Sequence, residues 1–281
     1  MSTTLVVDRR RLPPWLNAPV IIGGIMIAFW TITALTITFW APHDPLAPVG
    51  KRLLGPSRAH WMGTDALGRD VFTRALYGAR TSMPIACIVI VSAVALGCLV
   101  GAIAGFFGGW IDAILMRASD IVLAFPAVLL AMAVTASLGP GLRNACLAMI
   151  TVWWPIYARL LRAQVMAIKQ REHIESARAV GATRSRILRK HILPLSTTPI
   201  LVNATMDFGQ VVLLTASLSF IGLGAKPPSP EWGSMITEGA KNFYQWWIAV
   251  APGVAILTVV LAFNFMGDGI RDWLDPRSRS R

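Results

Sequence analysis

Residues 18–40 read Ala-Pro-Val-Ile-Ile-Gly-Gly-Ile-Met-Ile-Ala-Phe-Trp-Thr-Ile-Thr-Ala-Leu-Thr-Ile-Thr-Phe-Trp, 23 residues without a charge. A helix that crosses the hydrocarbon core of a bilayer needs about 20 predominantly apolar residues. This run has the length. Arg9, Arg10 and Arg11 precede it, as basic residues precede the apolar core of a secretory signal. The run is too long for such a core, and no small-x-small cleavage site precedes Ala41-Pro42. It reads as an uncleaved membrane anchor.

Further apolar runs follow at roughly 83–107, 118–138, 144–162, 195–224 and 247–267. The pattern predicts an all-α polytopic membrane protein with six transmembrane helices. Composition agrees. The 281 residues are 55% hydrophobic and 14% charged, with a mean hydropathy of +0.59. With the 23 glycines included the apolar share is about 63%, against roughly 45–50% in soluble domains. An excess of this size excludes disorder, a disulfide scaffold and most soluble enzymes. The expected organisation is a cytoplasmic tail (1–17), a first helix with an extracytoplasmic segment (18–80), a five-helix core (81–272) with a loop at 163–194, and a cytoplasmic tail (273–281).

The net charge is +12. With the N-terminus inside, 17 of the 26 Lys and Arg fall on the inner side and nine on the outer. Cytoplasmic loops carry such an excess, so the basic balance needs no nucleic acid. Both termini are expected in the cytoplasm of a prokaryote, at the inner membrane. Cys87, Cys98 and Cys146 sit in apolar runs with neither disulfide nor zinc spacing. His43, His60, His173 and His191 are equally dispersed, so no metal site is expected from the sequence. Gly97, Gly101 and Gly105 form a GxxxGxxxG run suited to close helix packing.

Two hydrophilic stretches stand out. Residues 41–80 carry Gly63-Thr64-Asp65-Ala66-Leu67-Gly68-Arg69-Asp70. The loop 163–194 contains Glu175-Ser176-Ala177-Arg178-Ala179-Val180-Gly181 and, nine residues on, His191-Ile192-Leu193-Pro194. Ile174, Ala177 and Val180 recur at helical spacing. Gly181 suits a left-handed helix end, Thr183 can cap a second helix, and Pro194 can start the next span. The prediction is a helix-turn-helix with a compact tip. It is either an interfacial pair or a knob that docks into a partner.

This loop resembles the EAA loop of binding-protein-dependent ABC importer permeases, with Ser176 where Ala is usual and His191 where Ile is usual. The His-Ile-Leu-Pro ending is similar to the peptide-importing subgroup. So are Gly63-Thr64-Asp65 with Gly68-Arg69-Asp70-Val71, Leu76-Tyr77-Gly78-Ala79-Arg80, Asp120-Ile121 with Ala124-Phe125-Pro126, and Leu218-Ser219-Phe220-Ile221-Gly222-Leu223-Gly224. Pro230-Glu231-Trp232-Gly233 and Asn264 with Gly267 to Pro276 complete the match, which covers about residues 15–276. The resemblance is to the second permease subunit of dipeptide/oligopeptide importers. Thr215 stands where that subgroup commonly has glutamate.

The resemblance implies a type I importer permease fold and a set of partners. These are a second homologous permease, two ATP-binding subunits or one fused ATPase, and an extracytoplasmic substrate-binding protein. Carried over by position, Glu175, Ser176, Ala177, Arg178, Gly181 and His191 form the ATPase-coupling surface, and Leu193 and Pro194 fix its exit. The chain itself is not expected to be an enzyme or to hold a cofactor. None of its five lysines lies in a Gly-Lys-Ser/Thr phosphate loop, so ATP is left to the partner subunits.

Asn203, Asp207 and Gln210 fall at i, i+4 and i+7 of the fifth span. They are either a wall of the translocation pathway or a hydrogen-bonded seam. Asp120, with Arg117 three residues before it, is expected to form a structural pair or to lie at the interface, and Trp246 and Trp247 are expected to anchor at the interface. Short peptides are the expected cargo. A nickel chelate or glutathione on the same scaffold is the alternative, with an ion-coupled secondary transporter further off.

Overall fold

The computed structural model describes residues 18–274; both tail regions that carry Arg9, Arg10, Arg11, Arg277, Arg279 and Arg281 lie outside the described residues. The elements in chain order are α1 (Ala18–Trp40), α2 (Val71–Phe107), α3 (Gly109–Leu123), α4 (Ala127–Leu138), α5 (Leu142–Lys169), α6 (Glu172–Ala179), α7 (Arg184–Ile187), α8 (Leu193–Phe220), α9 (Trp232–Lys241) and α10 (Trp247–Leu274). No strand occurs among the described residues. A π-helical turn, Leu188–Ile192, joins α7 to α8 into one helix, Arg184–Phe220.

Among the described residues, four helices are long and apolar enough to cross a membrane: Ala18–Trp40, Val71–Phe107, Arg184–Phe220 and Trp247–Trp273. Helices α3 and α4 make a fifth if they count as one span, bent by 90°. The break has a local cause, because Pro126 offers no N–H and disfavours a helical Phe125 before it. Helix α5 is long enough but less apolar, with Asn144, Pro155 and Arg159 among its residues. Length and composition therefore support four or five spans rather than the expected six.

Helix α2 starts at residue 71, well before the apolar run that marked it. Asp70 caps it, its side chain accepting from the Thr73 N–H at 2.8 Å. A tight seam lies between α2 and α5. A Cβ at Gly97, Gly101 or Gly105 would collide with the α5 backbone at Trp154, Ala158 or Arg162, so the glycine run serves close packing. At its far end Lys169 of α5 donates to the Phe106 carbonyl at 2.6 Å, closing the last turn of α2.

Helices α1, α8 and α10 pack around this pair. Trp30 donates to Thr258 at 2.9 Å, and Phe208 stacks on Phe263 with centroids 3.8 Å apart. Helix α9, absent from the sequence reading, wedges beside the start of α2. The Trp232 indole is fully buried and donates to the Ala75 carbonyl at 2.8 Å, over the space that Gly78 leaves. The molecule thus has two ends. One carries α9 and residues 41–70, the other carries α6 and the 163–194 loop.

One local expectation, the partner of Asp120, is corrected. Asp120 pairs with Arg159 of α5, not Arg117, and Arg162 of α5 holds Asp112 of α3 through two bonds. Both arginines fasten the bent α3–α4 pair to α5. Trp247 is a packing residue whose indole donates to the Thr64 carbonyl at 3.2 Å, while Trp246 is exposed.

Candidate functional site

The 163–194 loop folds as a short projecting hairpin. Helix α6 is eight residues long and is stopped by Gly181 at φ 83°. The Gly181 N–H reaches the Arg178 carbonyl at 2.9 Å, and the Ala182 N–H reaches that of Ala177 at 3.0 Å. This pair of bonds is a Schellman closure, which satisfies the last carbonyls of a helix with a left-handed residue beyond its end. Thr183 then caps α7, accepting from the Arg186 N–H. Both signals were legible in the sequence.

What holds the hairpin is its apolar underside. Ile174 of α6, Ile187 of α7 and Ile192 of the π turn are buried with Ile168 of α5 in the main core. The expected apolar face is shorter than its spacing suggested. Ala177 is half-buried, but Val180 lies past the helix end and is 86% exposed. Leu193 is half-buried and Pro194 exposed, more than two turns into the continuous helix. The Leu193 N–H bonds to Leu188 five residues back, so the wide turn lets the helix continue into a proline that has no N–H.

Ser176, Ala177, Gly181 and His191 line one groove of about 570 Å³, with His173, Val180 and Lys190. Glu175 and Arg178 lie on the opposite side of α6, in a cleft of about 340 Å³ that also holds Asp112, Lys169 and Gly105. The eight expected coupling residues therefore fall on a groove, a cleft and a stem. Apart from half-buried Ala177 and His191, those on the groove and cleft are exposed, and a side chain at Gly181 would meet nothing within 4 Å. The result is an exposed turn on a buried base, flanked by exposed Arg184, Arg186, Arg189 and Lys190.

The polar stripe of α8 does not act as a unit. Asp207 accepts from the Tyr157 hydroxyl of α5 at 2.7 Å. Asn203 turns back to its own helix, donating to the Pro199 carbonyl at 2.8 Å. Gln210 is exposed. Thr215 is buried and donates to the Val211 carbonyl at 2.8 Å.

At the α9 end, Asp65 accepts from Arg69 Nε at 2.6 Å, Arg74 Nε lies 3.4 Å from the same oxygen, and Arg69 reaches Glu238 of α9 at 3.1 Å. Burial pushes the Glu238 carboxyl up, an effect the two arginines oppose. Glu231 is buried and caps α9 with both oxygens, accepting from the Gly233 and Ser234 N–H groups at 2.9 and 2.8 Å. Burial also raises its proton affinity, against those donors.

Residues 97–280 match the family described as binding-protein-dependent transport system inner membrane component. The chain belongs to this family. It is a membrane permease, a transport component of the ABC type. The chain is 44% identical over 271 residues to the dipeptide transport system permease protein DppC of Alkalihalophilus pseudofirmus, covering 94% of this chain and 88% of that one. It is 43% identical to the probable D,D-dipeptide transport system permease protein DdpC of Escherichia coli, covering 93% and 89%. To the glutathione transport system permease protein GsiD of Pectobacterium atrosepticum it is 41% identical, covering 92% and 88%. Among solved structures it is similar in fold to inward-facing MetNI methionine ABC transporter. That likeness has a TM-score of 0.57 and 21% identity, over 72% of this chain and 96% of the other.

Sequence reading of this permease missed its long-range polar partners. Tyr157 for Asp207, Arg159 for Asp120 and Arg162 for Asp112 lie 39 to 50 residues apart along the chain. No local pattern signals such pairs. Asp70 did have a signal, an aspartate directly before an amphipathic start.

Proposed function

We propose that this permease forms half of the translocation pathway of an ATP-driven importer of short peptides. The names of its relatives, two of them dipeptide systems, support the cargo. The other partners would be a second homologous permease, the ATP-binding subunits and an extracytoplasmic substrate-binding protein, with the ATP bound by the ATPases alone. Six helical passes, counting α3–α4 as one and α5 as another, would place α6 and both termini in the cytoplasm. Residues 41–70 and α9 would then face outward.

In this reading α6 is the coupling helix. The observation that carries it is the exposed Schellman turn on a buried isoleucine base. When the ATPases close, a push on α6 passes through Ile174 and Ile187 into α5 and α8 without melting the turn. Movement of packed helices as bodies is how such closures are relayed. Asp207 ties α5 to α8 through Tyr157, so those two helices move together, and exposed Gln210 is the stripe residue that faces the pathway.

The test is reconstitution of the complete transporter in proteoliposomes, with hydrolysis and uptake of a labelled dipeptide measured together. Dipeptide-loaded binding protein should raise hydrolysis and drive uptake, with glutathione a weaker competitor. Glutathione uptake without dipeptide uptake would overturn the cargo. Uptake driven by an ion gradient without ATP would overturn the transporter class. Gln210→Leu should slow uptake in an assembled complex, whereas Asp207→Leu should impair assembly.

A further inference from the structure

The histidines are dispersed in sequence, yet two of them meet in space. His43 lies just beyond α1, His60 lies within the 41–70 segment, and Asp70 caps α2. One ring nitrogen from each histidine and one oxygen of Asp70 all lie within 4.8 Å of one another. His60 Nδ1 is 2.9 Å and His43 Nδ1 3.9 Å from the same atom, Asp70 Oδ2. The rings are stacked at a tilt, 5.2 Å apart.

His43 Nδ1 is shut off from solvent and makes no hydrogen bond. An unsatisfied buried nitrogen asks for a partner. The oxygen it faces is too far for a hydrogen bond but well placed to share an ion. A tetrahedral zinc-type ion, bound at about 2.0–2.2 Å by nitrogen and oxygen, keeps its ligand atoms roughly 3.3–3.5 Å apart. The two distances to Asp70 Oδ2 bracket that value, so shifts of about half an ångström would bring each nitrogen to ligand spacing from that oxygen. Two imidazoles and one carboxylate suit first-row divalent cations, with the remaining positions open to water.

We propose that His43, His60 and Asp70 form a binding site for a divalent cation of the zinc class, which staples the chain leaving α1 to the start of α2. The site is held in place before any ion arrives. Asp70 Oδ1 is engaged by the Thr73 N–H, which leaves Oδ2 turned to the histidines. The His60 carbonyl accepts from the Ser57 and Gly63 N–H groups at 2.7 and 2.9 Å, and its own N–H donates to Ser57 Oγ at 3.1 Å. Gly50 leaves room beside the His60 ring, where a Cβ would come within 3.0 Å of Nε2. His43, with a side chain 30% exposed, is the point of entry. Its ligands come from both ends and the middle of residues 43–70, so an ion here closes that whole loop. Because the three ligands meet only in the folded chain, an ion bound there stabilises the fold by its binding free energy.

The role is structural and independent of the cargo. The assembled transporter, stripped with a chelator, would be titrated with zinc against a chromophoric competitor and followed by thermal unfolding. Wild type should bind one more equivalent of zinc per copy of this chain than His43→Gln, which loses no hydrogen bond and should assemble and transport normally without metal. Removal of a direct ligand should weaken binding by about 100-fold or more, beyond the tenfold or greater loss typical of supporting residues. Zinc should raise the melting temperature of wild type and leave His43→Gln unchanged. Equal zinc in both proteins would overturn the site, and binding without a rise in melting temperature would overturn the staple. X-ray absorption of the zinc-loaded wild type needs no variant. Imidazole scattering from two histidines is expected, and its absence would also overturn the assignment.

Discussion

Residues 41–70 and 163–194 are the two long hydrophilic stretches of this permease, and they solve opposite problems. In the first, His60, Asp65, Arg69 and Asp70 are nearly buried and joined to one another or, through Glu238, to α9. In the second, Glu172, Glu175, Arg178, Arg184, Arg186 and Arg189 are all exposed, and the fold is held by four buried isoleucines beneath them. The same residue types are architecture at one end and a presented surface at the other. Partnering, not charge content, separates them. Buried charges are tolerated only when paired, and a pair makes each member hard to change. Exposed charges on a rigid base can be altered with little effect on folding, so their effects should appear in partner binding.

The largest effect should come from breaking the buried network. Arg69→Met takes the nearer cation from Asp65 and the ion-pair partner from Glu238, leaving only Arg74 beside Asp65, and should cost up to about 3–5 kcal/mol, the range for halving a buried pair. Thermal unfolding in detergent and the level of the chain in membranes would measure it. Arg186→Met, at the other end, should stay within about 0.5 kcal/mol, as exposed substitutions do. Similar losses for both would erase the distinction between the two regions.

Gly181→Val comes next. A β-branched residue in the left-handed conformation is strained by roughly 1–2 kcal/mol, and no neighbouring atom adds a clash. Membrane abundance and pairing with the second permease should be normal. Hydrolysis should stop responding to loaded binding protein, and uptake should fall; Gly181→Ala should be milder. Full uptake in the Val variant would return α6 to an ordinary surface helix.

Glu231→Gln should give a smaller change than either Arg69→Met or Gly181→Val. It surrenders one of two cap acceptors on α9, worth about 1 kcal/mol near neutral pH. Burial raises the proton affinity of Glu231 in the folded chain above that in the unfolded one. Its contribution is therefore largest below the unfolded value and declines as pH rises to the folded one. Melting temperatures from pH 4 upward should show that decline in wild type and a flatter profile in Glu231→Gln.

Much of this was legible before any coordinates. Apolar runs located the long helices, and the Gly97–Gly101–Gly105 spacing marked the seam with α5. Gly181 and Thr183 marked the ends of α6 and α7, because caps and left-handed turns are local and leave local signatures. Where α2 begins was misjudged, since its first three turns are buried by α9 and residues 41–70 and need not be uniformly apolar. Helix α9 was missed because its ten residues are far shorter than a membrane-crossing run, although Trp232, Met235, Ile236 and Gly239 recur at helical spacing. The meeting of His43, His60 and Asp70 depends on a loop closing on itself, which no spacing announces.

On the function proposed above, the turn at Val180 and Gly181 is where this permease meets its ATPases. Val180 is 86% exposed at the tip of that turn. A single cysteine there, with Cys87, Cys98 and Cys146 replaced, can be tested in intact cells and in membranes. Val180→Cys should be unreactive to an impermeant thiol reagent from outside. It should cross-link to an ATP-binding subunit, with a yield that changes when ATP is trapped. Labelling from outside, or no cross-link to the ATPase in any nucleotide state, would contradict it.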